Sequence, residues 1–258
     1  MLILLPPSEG KADRGTGRPV NLDGLSLPEL REARATVLDA LADFCVRDEH
    51  GALAGLGLSA GQVDDVRRNG TLRSARTLPA ARLYTGVLYE AMDLGSLSSA
   101  QYTWLKRSIV IFSGLWGAVR LGDRIPPYRC GIGSRLPGLG GLSAFWKPVL
   151  DEPLTRLAGS GVVLDLRSAA YAAAWTPSGP LARRTVAVRV LHERIVDGRA
   201  VRSVVSHFNK ATKGRIVRDL ALAEVRPRTV SQLVAALRDL KYTVDEQPNG
   251  LDVVVTEV

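Results

Sequence analysis

Four groups of polar residues stand where apolar runs end, and their types suit holding an anion and moving a proton. The run Leu2 to Leu5 stops at Pro6-Pro7 and gives way to Ser8, Glu9, Gly10 and Lys11: a hydroxyl, a carboxylate and an ammonium in one tight loop. A second run, Ser108 to Phe112, passes into Ser113-Gly-Leu-Trp116-Gly117, with Arg120 close behind. A third, Gly161 to Leu166, is followed by Arg167, Ser168 and Tyr171. Asn209, Lys210 and Lys213 follow a pair of alternating apolar and polar stretches. Loops at the carboxyl ends of buried strands are where α/β proteins place ligand contacts. If these strands are neighbours, one cleft gathers several cations, hydroxyls, a tyrosine and one carboxylate. Lysine and arginine there suit phosphate or carboxylate recognition, and Glu9 or Tyr171 would handle a proton. The plainer reading of the first loop is a solvated turn after an edge strand.

Other chemistries find little support. His50, His192 and His207 are far apart, and no metal-binding spacing of Cys, His or Glu occurs. There is no Walker A run, no dinucleotide glycine fingerprint and no nucleophile elbow. Trp116 and Trp146 are large enough to stack a base, yet both suit a core equally. The net charge of +8 and pI near 9.9 favour anionic partners, either nucleic acid or a phosphorylated small molecule. Arginine supplies most of that charge, so the few lysines are the rarer choice and point to Lys11, Lys147, Lys210 and Lys213. Lys210, Lys213, Arg215 and Arg218 lie in one helical stretch, where Lys210, Lys213 and Arg218 would share a phosphate-tracking face. A solvated amphipathic face has the same pattern.

The elements that must position these groups follow from periodicity and punctuation. Leu2 to Leu5, Ser108 to Phe112 and Gly161 to Leu166 read as buried strands. Pro28 opens a helix to about Arg47, and Ser59-x-x-Gln62 and Ser98-x-x-Gln101 have capping-box form. Residues 79 to 93 read as one helical segment, and Ser143 as the cap of a helix holding Pro148 in its first turns. Arg184 to Val196 and Ala200 to Phe208 read as strands joined at Asp197-Gly198. A basic helix runs from Lys210 to about Glu224, and Thr229 caps another to Leu240. A last hairpin joins Tyr242 to Asp245 with Leu251 to Thr256 through Pro248-Asn249-Gly250. Strand-helix units mixed with hairpins imply an α/β (α+β mixed) fold: one compact domain over 1–258 with a mixed sheet and flanking helices. No apolar run reaches the roughly 20 residues of a membrane span. The two cysteines are isolated, so a reduced, cytoplasmic protein is expected.

Taken together, several of these segments resemble the YaaA peroxide-stress protein family. They are Pro-Pro-Ser-Glu-Gly-Lys11, Tyr84-Thr-Gly86, Ser113-Gly-Leu-Trp-Gly117-Ala-Val-Arg120, Pro127-Tyr128-Arg129, Phe145-Trp146, Asp165-Leu-Arg167-Ser168-Ala-Ala-Tyr171 and Lys210-x-x-Lys213-Gly214. The likeness covers nearly the whole chain, and its most specific part is the SGLxGxxR…PYR pair. The Pro-Pro-Ser-Glu-Gly-Lys loop differs from the Ser-Pro-Ala-Lys-Thr-like loop of better-known members and looks like an actinobacterial-type branch. The glutamate of the family's Asn-Leu-Ala-Ser-x-Glu-Tyr run is also lost here. The resemblance implies a cytoplasmic stress protein with a YaaA-like fold and a positively charged cleft. It further implies duplex-DNA binding and protection against iron-driven oxidative damage.

Two functions therefore stand side by side. In the first, Lys210, Lys213, Arg215 and Arg218 contact duplex DNA, with steep salt dependence and no turnover. In the second, the chain is an enzyme for ATP- or phosphate-dependent group transfer. Its ligand would meet Ser8, Ser113, Trp116, Arg120, Tyr128, Arg129, Lys147, Arg167 and Lys210, with Glu9, Lys11, Ser168 and Tyr171 in catalysis. Cations converging inward at strand ends would favour the pocket; cations spread over an exposed face would favour DNA.

Overall fold

A computed structural model describes residues 1–196, 199–248 and 250–256, with backbone alone for Val196, Ser206 and His207. The turn residues Asp197, Gly198 and Asn249 and the His207 side chain therefore lie outside the described residues.

The strands are β1 (Leu2–Leu5), β2 (Leu78–Pro79), β3 (Ile109–Ser113), β4 (Gly117–Val119), β5 (Arg124–Ile125), β6 (Arg135–Leu136), β7 (Gly140–Gly141), β8 (Val163–Asp165), β9 (Thr185–Val196), β10 (Arg199–Ser203), β11 (Thr243–Gln247) and β12 (Gly250–Thr256). Eight of them form one mixed sheet in the order β11-β12-β9-β8-β1-β3-β4, with β10 pairing β9, while β2-β5 and β6-β7 are small separate pairs. β1 is central because all four of its residues are apolar and it is covered on both faces. It pairs in parallel with β3 (Ile3 opposite Ile109) and with β8 (Leu4 opposite Asp165). The chain leaves β1 toward β3 on one side and later returns to β8 on the other. This reversal opens a crevice beyond the carboxyl ends of β1 and β8. Pro6-Pro7 ends β1 there, since neither residue can donate to the ladder.

Both capping boxes form: Ser59 with Gln62, and Ser98 with Gln101 at the start of the helix Ser99–Ser108. Thr229 caps the helix Val230–Asp239. Three elements differ from the pattern-based expectation. The segment 79 to 93 is two short helices, Ala80–Leu83 and Val87–Met92, parted at Tyr84-Thr85-Gly86. The break arises because the first loop pairs with it: Tyr84 bridges Lys11, and the Thr85 N–H donates to the Gly10 carbonyl at 3.1 Å. Gly86, at φ +94°, is needed there, since a Cβ would stand 2.9 Å from the Ser8 hydroxyl. β10 stops at Ser203, and Val204 to Phe208 is not strand, because the basic helix begins earlier and spans Ser206–Leu222. The helix Leu142–Ala158 starts at Gly141 with no side-chain cap, so Ser143 lies inside it, along with Pro148 and Pro153.

The helix Ser206–Leu222 lies against Val87–Met92 so closely that a Cβ on Gly214 would stand 2.1 Å from the Leu88 carbonyl oxygen. Gly214→Ala should therefore destabilise by about 1–3 kcal/mol, although alanine is the better helix former. Denaturant unfolding checks this; an unchanged or raised midpoint would mean the two helices are not in that contact.

Candidate functional site

At the crevice between β1 and β8 the surface sinks into a cleft of about 800 Å3. The β1 loop supplies Ser8, Glu9 and Lys11, the β8 loop supplies Arg167, Ser168 and Tyr171, and the helix Ser206–Leu222 supplies Asn209, Lys210 and Lys213. Tyr128, Arg129 and the stretch to Gly133 form one wall, and Leu56 to Leu58 another. Among the described residues six cations line the cleft (Lys11, Arg129, Arg167, Arg189, Lys210 and Lys213) against one carboxylate, Glu9.

Two of these lysines are held in the same way. Lys11 Nζ donates to the Ser8 carbonyl at 2.6 Å, just past the end of β1. Lys213 Nζ donates to the Leu166 carbonyl at 3.2 Å, just past the end of β8. Neither ammonium bonds a carboxylate, and burial lowers the pKa of both. For Lys213 the nearby Asp165 opposes that shift. For Lys11 burial is reinforced by the Arg129 charge, and its pKa falls to about 8 despite Glu9 and Asp65. Lys11 also rests on aromatic faces, 4.8 Å from the Tyr128 ring centroid and 5.7 Å from that of Tyr84.

The ring beneath Lys11 is fixed by a buried chain of hydroxyls. Tyr84 and Tyr128 share a hydrogen bond of 2.8 Å, Tyr128 and Ser113 one of 2.6 Å, and the Ser113 oxygen accepts the Trp116 N–H at 3.0 Å. Burial raises both phenols far above neutral pH, so they stay protonated. Tyr171 is likewise raised by burial, which makes its hydroxyl a hydrogen-bond donor and not a phenolate base. Arg129 is aimed by Asn69, which accepts its N–H at 2.9 Å and donates to its carbonyl at 2.6 Å. Its guanidinium reaches the Glu9 carbonyl at 3.1 Å and the Glu9 carboxylate at 3.5 Å. Arg167 is committed inward: Nε and NH2 grip Asp165 at 2.9 and 2.6 Å, and NH1 reaches the Trp175 carbonyl at 2.9 Å. Lys210, by contrast, is exposed at the rim and forms no hydrogen bond or ion pair among the described residues.

The whole arrangement occurs in a chain whose residues 1–248 match the family model described as peroxide stress protein YaaA. The chain belongs to the YaaA family. A UPF0246 protein of Streptomyces coelicolor is 53% identical over 265 residues, covering all of both chains. A UPF0246 protein of Corynebacterium efficiens is 37% identical over 249 residues, 95% of each chain.

In this YaaA-family chain the structure gathers Ser8, Glu9, Lys11, Tyr128, Arg129, Arg167, Ser168, Tyr171, Lys210 and Lys213 around one cleft. It separates the others. Ser113 and Trp116 are wholly buried beneath the cleft and do not line it. Arg120 faces away, donating to the carbonyls of Lys106 and Arg107 at the end of a helix. Lys147 is exposed on the helix Leu142–Ala158, outside the cleft. Lys210, Lys213 and Arg218 do not share a face. Lys213 is 8% exposed and points into the cleft floor, Arg215 faces solvent and reaches Thr212 at 3.1 Å, and Arg218 turns to Ser96 at 3.2 Å. Three positioning roles were missed in the sequence: Asn69 behind Arg129, Asp165 beneath Arg167, and the Leu56 to Leu58 wall. Only the Asp-x-Arg spacing at 165 and 167 hinted at one of them.

Proposed function

We propose that this YaaA-family protein binds a small molecule carrying a phosphate or carboxylate group in the cleft at the ends of β1 and β8. The reading rests on one observation: Lys11 and Lys213 converge there, each tied to strand-end carbonyls with no carboxylate bonded to it. Buried positive charge of that kind is costly to maintain and is offset when an anion enters. Lys210 at the rim and the Ser8, Ser168 and Tyr171 hydroxyls add donors with reach into the same space. In this reading the cytoplasmic peroxide-stress role runs through that ligand. Inorganic phosphate or ATP should raise the unfolding temperature in a way that survives moderate salt. Lys210→Ala should weaken this binding about tenfold, as loss of a charge-assisted hydrogen bond does, with the stability of the free protein unchanged.

Duplex DNA is the second reading, favoured by Lys210 and Arg215, which are exposed on the basic helix. It makes the opposite prediction in the same experiment. A shift seen only with duplex DNA, fading as salt rises and weakened by Arg215→Ala, would move the function from the cleft to the surface.

A further inference from the structure

Apart from Lys210, exposed at the rim, the other described cations of the cleft differ from Lys11 in the charges around them. Arg129 and Glu9 engage each other, Arg167 holds Asp165, and Arg189 holds Asp252 at 2.7 Å. Lys213 sits on two carbonyls, the Leu166 oxygen at 3.2 Å and the Arg167 oxygen at 3.5 Å, as Lys11 does on those of Ser8 and Glu9, but it has Asp165 nearby to favour its charge. Lys11 shares the Glu9 carbonyl with the Arg129 guanidinium, at 3.5 and 3.1 Å, and has aromatic faces below it. The only carboxylate lining its cleft among the described residues, Glu9, is 87% exposed and turned to Arg129. An amine that is desolvated, placed beside a second cation and open to a ligand cavity is the arrangement that makes lysine a nucleophile.

We infer that Lys11 is a nucleophilic lysine that condenses with the carbonyl group of a ligand whose anionic end is held across the cleft. This deepens the anion-pocket reading and rests on it: the ligand class becomes an aldehyde or ketone bearing a phosphate or carboxylate. The neutral Nζ attacks the carbonyl carbon, forming a C–N bond as the C=O pair moves onto oxygen. Nitrogen then gives up a proton through water and the oxygen takes one, giving a carbinolamine; the hydroxyl takes a second proton from solvent and leaves as water while the nitrogen lone pair forms the C=N bond of a protonated imine. No oxidant or reductant is needed for these steps. Lys210, on the facing helix, is placed to hold the anionic end, while the Tyr171 hydroxyl, which stays protonated, is a donor for the developing oxygen. The amine pKa of about 8 agrees with this role, since at pH 7 it leaves a free-amine fraction roughly two hundredfold above that of an ordinary lysine.

The test is reductive trapping on the intact protein. Pyruvate and glyceraldehyde 3-phosphate are incubated separately with cyanoborohydride at pH 7, and adducts are located by peptide mass spectrometry. The chain has only six lysines, Lys11, Lys106, Lys147, Lys210, Lys213 and Lys241, so each can be followed. The expected result is an adduct on Lys11 about tenfold or more above the exposed Lys241, rising with pH through about 8. The better of the two probes tells whether a carboxylate or a phosphate is recognised. Lys11→Arg should abolish the adduct while labelling of Lys241 stays at its wild-type level. Trapping spread evenly over the lysines, or greatest at Lys210 or Lys213, overturns the nucleophile even if phosphate still stabilises the protein. If neither phosphate nor either probe stabilises the wild-type protein, the pocket reading fails with it.

Discussion

Asp165→Ala is expected to lower stability by about 3–5 kcal/mol, the cost of leaving a buried charge without its partner. Arg167 is the charge left behind. Its side chain is 1% exposed, and its guanidinium lies 4.3 Å from the Phe112 ring centroid and 5.6 Å from that of Trp175. Asp165 alone supplies it with carboxylate oxygens, at 2.9 and 2.6 Å, and also accepts its backbone N–H at 3.0 Å. The same substitution removes the acid that favours the charge of the buried Lys213, so two cations lose a counter-charge at once. Urea unfolding followed by tryptophan fluorescence gives the value. A loss below about 1 kcal/mol, the range of exposed pairs, would refute the burial of this pair. Asp165→Leu combined with Arg167→Met should recover most of the loss, because apolar replacements of buried pairs are often neutral.

Trp116→Ala should cost a similar amount, about 3–5 kcal/mol, while Trp116→Phe should cost less than about 1.5 kcal/mol. Trp116 is fully buried and meets Tyr128 edge-on at 6.4 Å, so truncating it opens a cavity under the ring that carries Lys11. Its indole N–H has no partner among the described residues, so phenylalanine gives up no hydrogen bond. Phosphate should stabilise the phenylalanine variant as it does the wild type. A phenylalanine variant of full stability that had lost nucleotide binding would make Trp116 a base-stacking residue after all.

The parts of this structure that were readable in the sequence are those governed by neighbours in the chain. Leu2 to Leu5 with Pro6-Pro7 specifies a buried strand and its stop, and two serine-glutamine pairs specify helix starts, because the deciding contacts are a few residues apart. Convergence of the Ser8 to Lys11, Arg167 to Tyr171 and Lys210 to Lys213 groups was foreseeable from their places after strands. What each cation does was not. Arg167 and Lys210 are both basic residues near a strand end, yet one is buried on Asp165 and the other is exposed at the rim, with no ion pair among the described residues. Arg120 matches a family motif but serves as a helix-end contact, reaching from the end of β4 to carbonyls of the helix Ser99–Ser108. Helical spacing failed for Lys210, Lys213 and Arg218 because the packing of Gly214 on Leu88 turns that helix so that Lys213 faces inward. The break at Tyr84-Thr85-Gly86 depended on a loop about seventy residues earlier, which no local window contains.

The position of β1 at the middle of the sheet has a consequence for how the protein is made. Its four apolar residues leave the ribosome before either neighbour, β3 or β8, has been synthesised. At translation rates of about 5–20 residues per second, β8 follows roughly 8–30 seconds later, and Lys213 later still. During that interval the chain carries a bare, sticky strand and half of a pocket, the state in which nascent chains are most prone to mispair. No fragment ending before the helix Ser206–Leu222 contains all the described residues that line the cleft, and a truncated product would expose β1 beside a cleft lacking Asn209, Lys210 and Lys213.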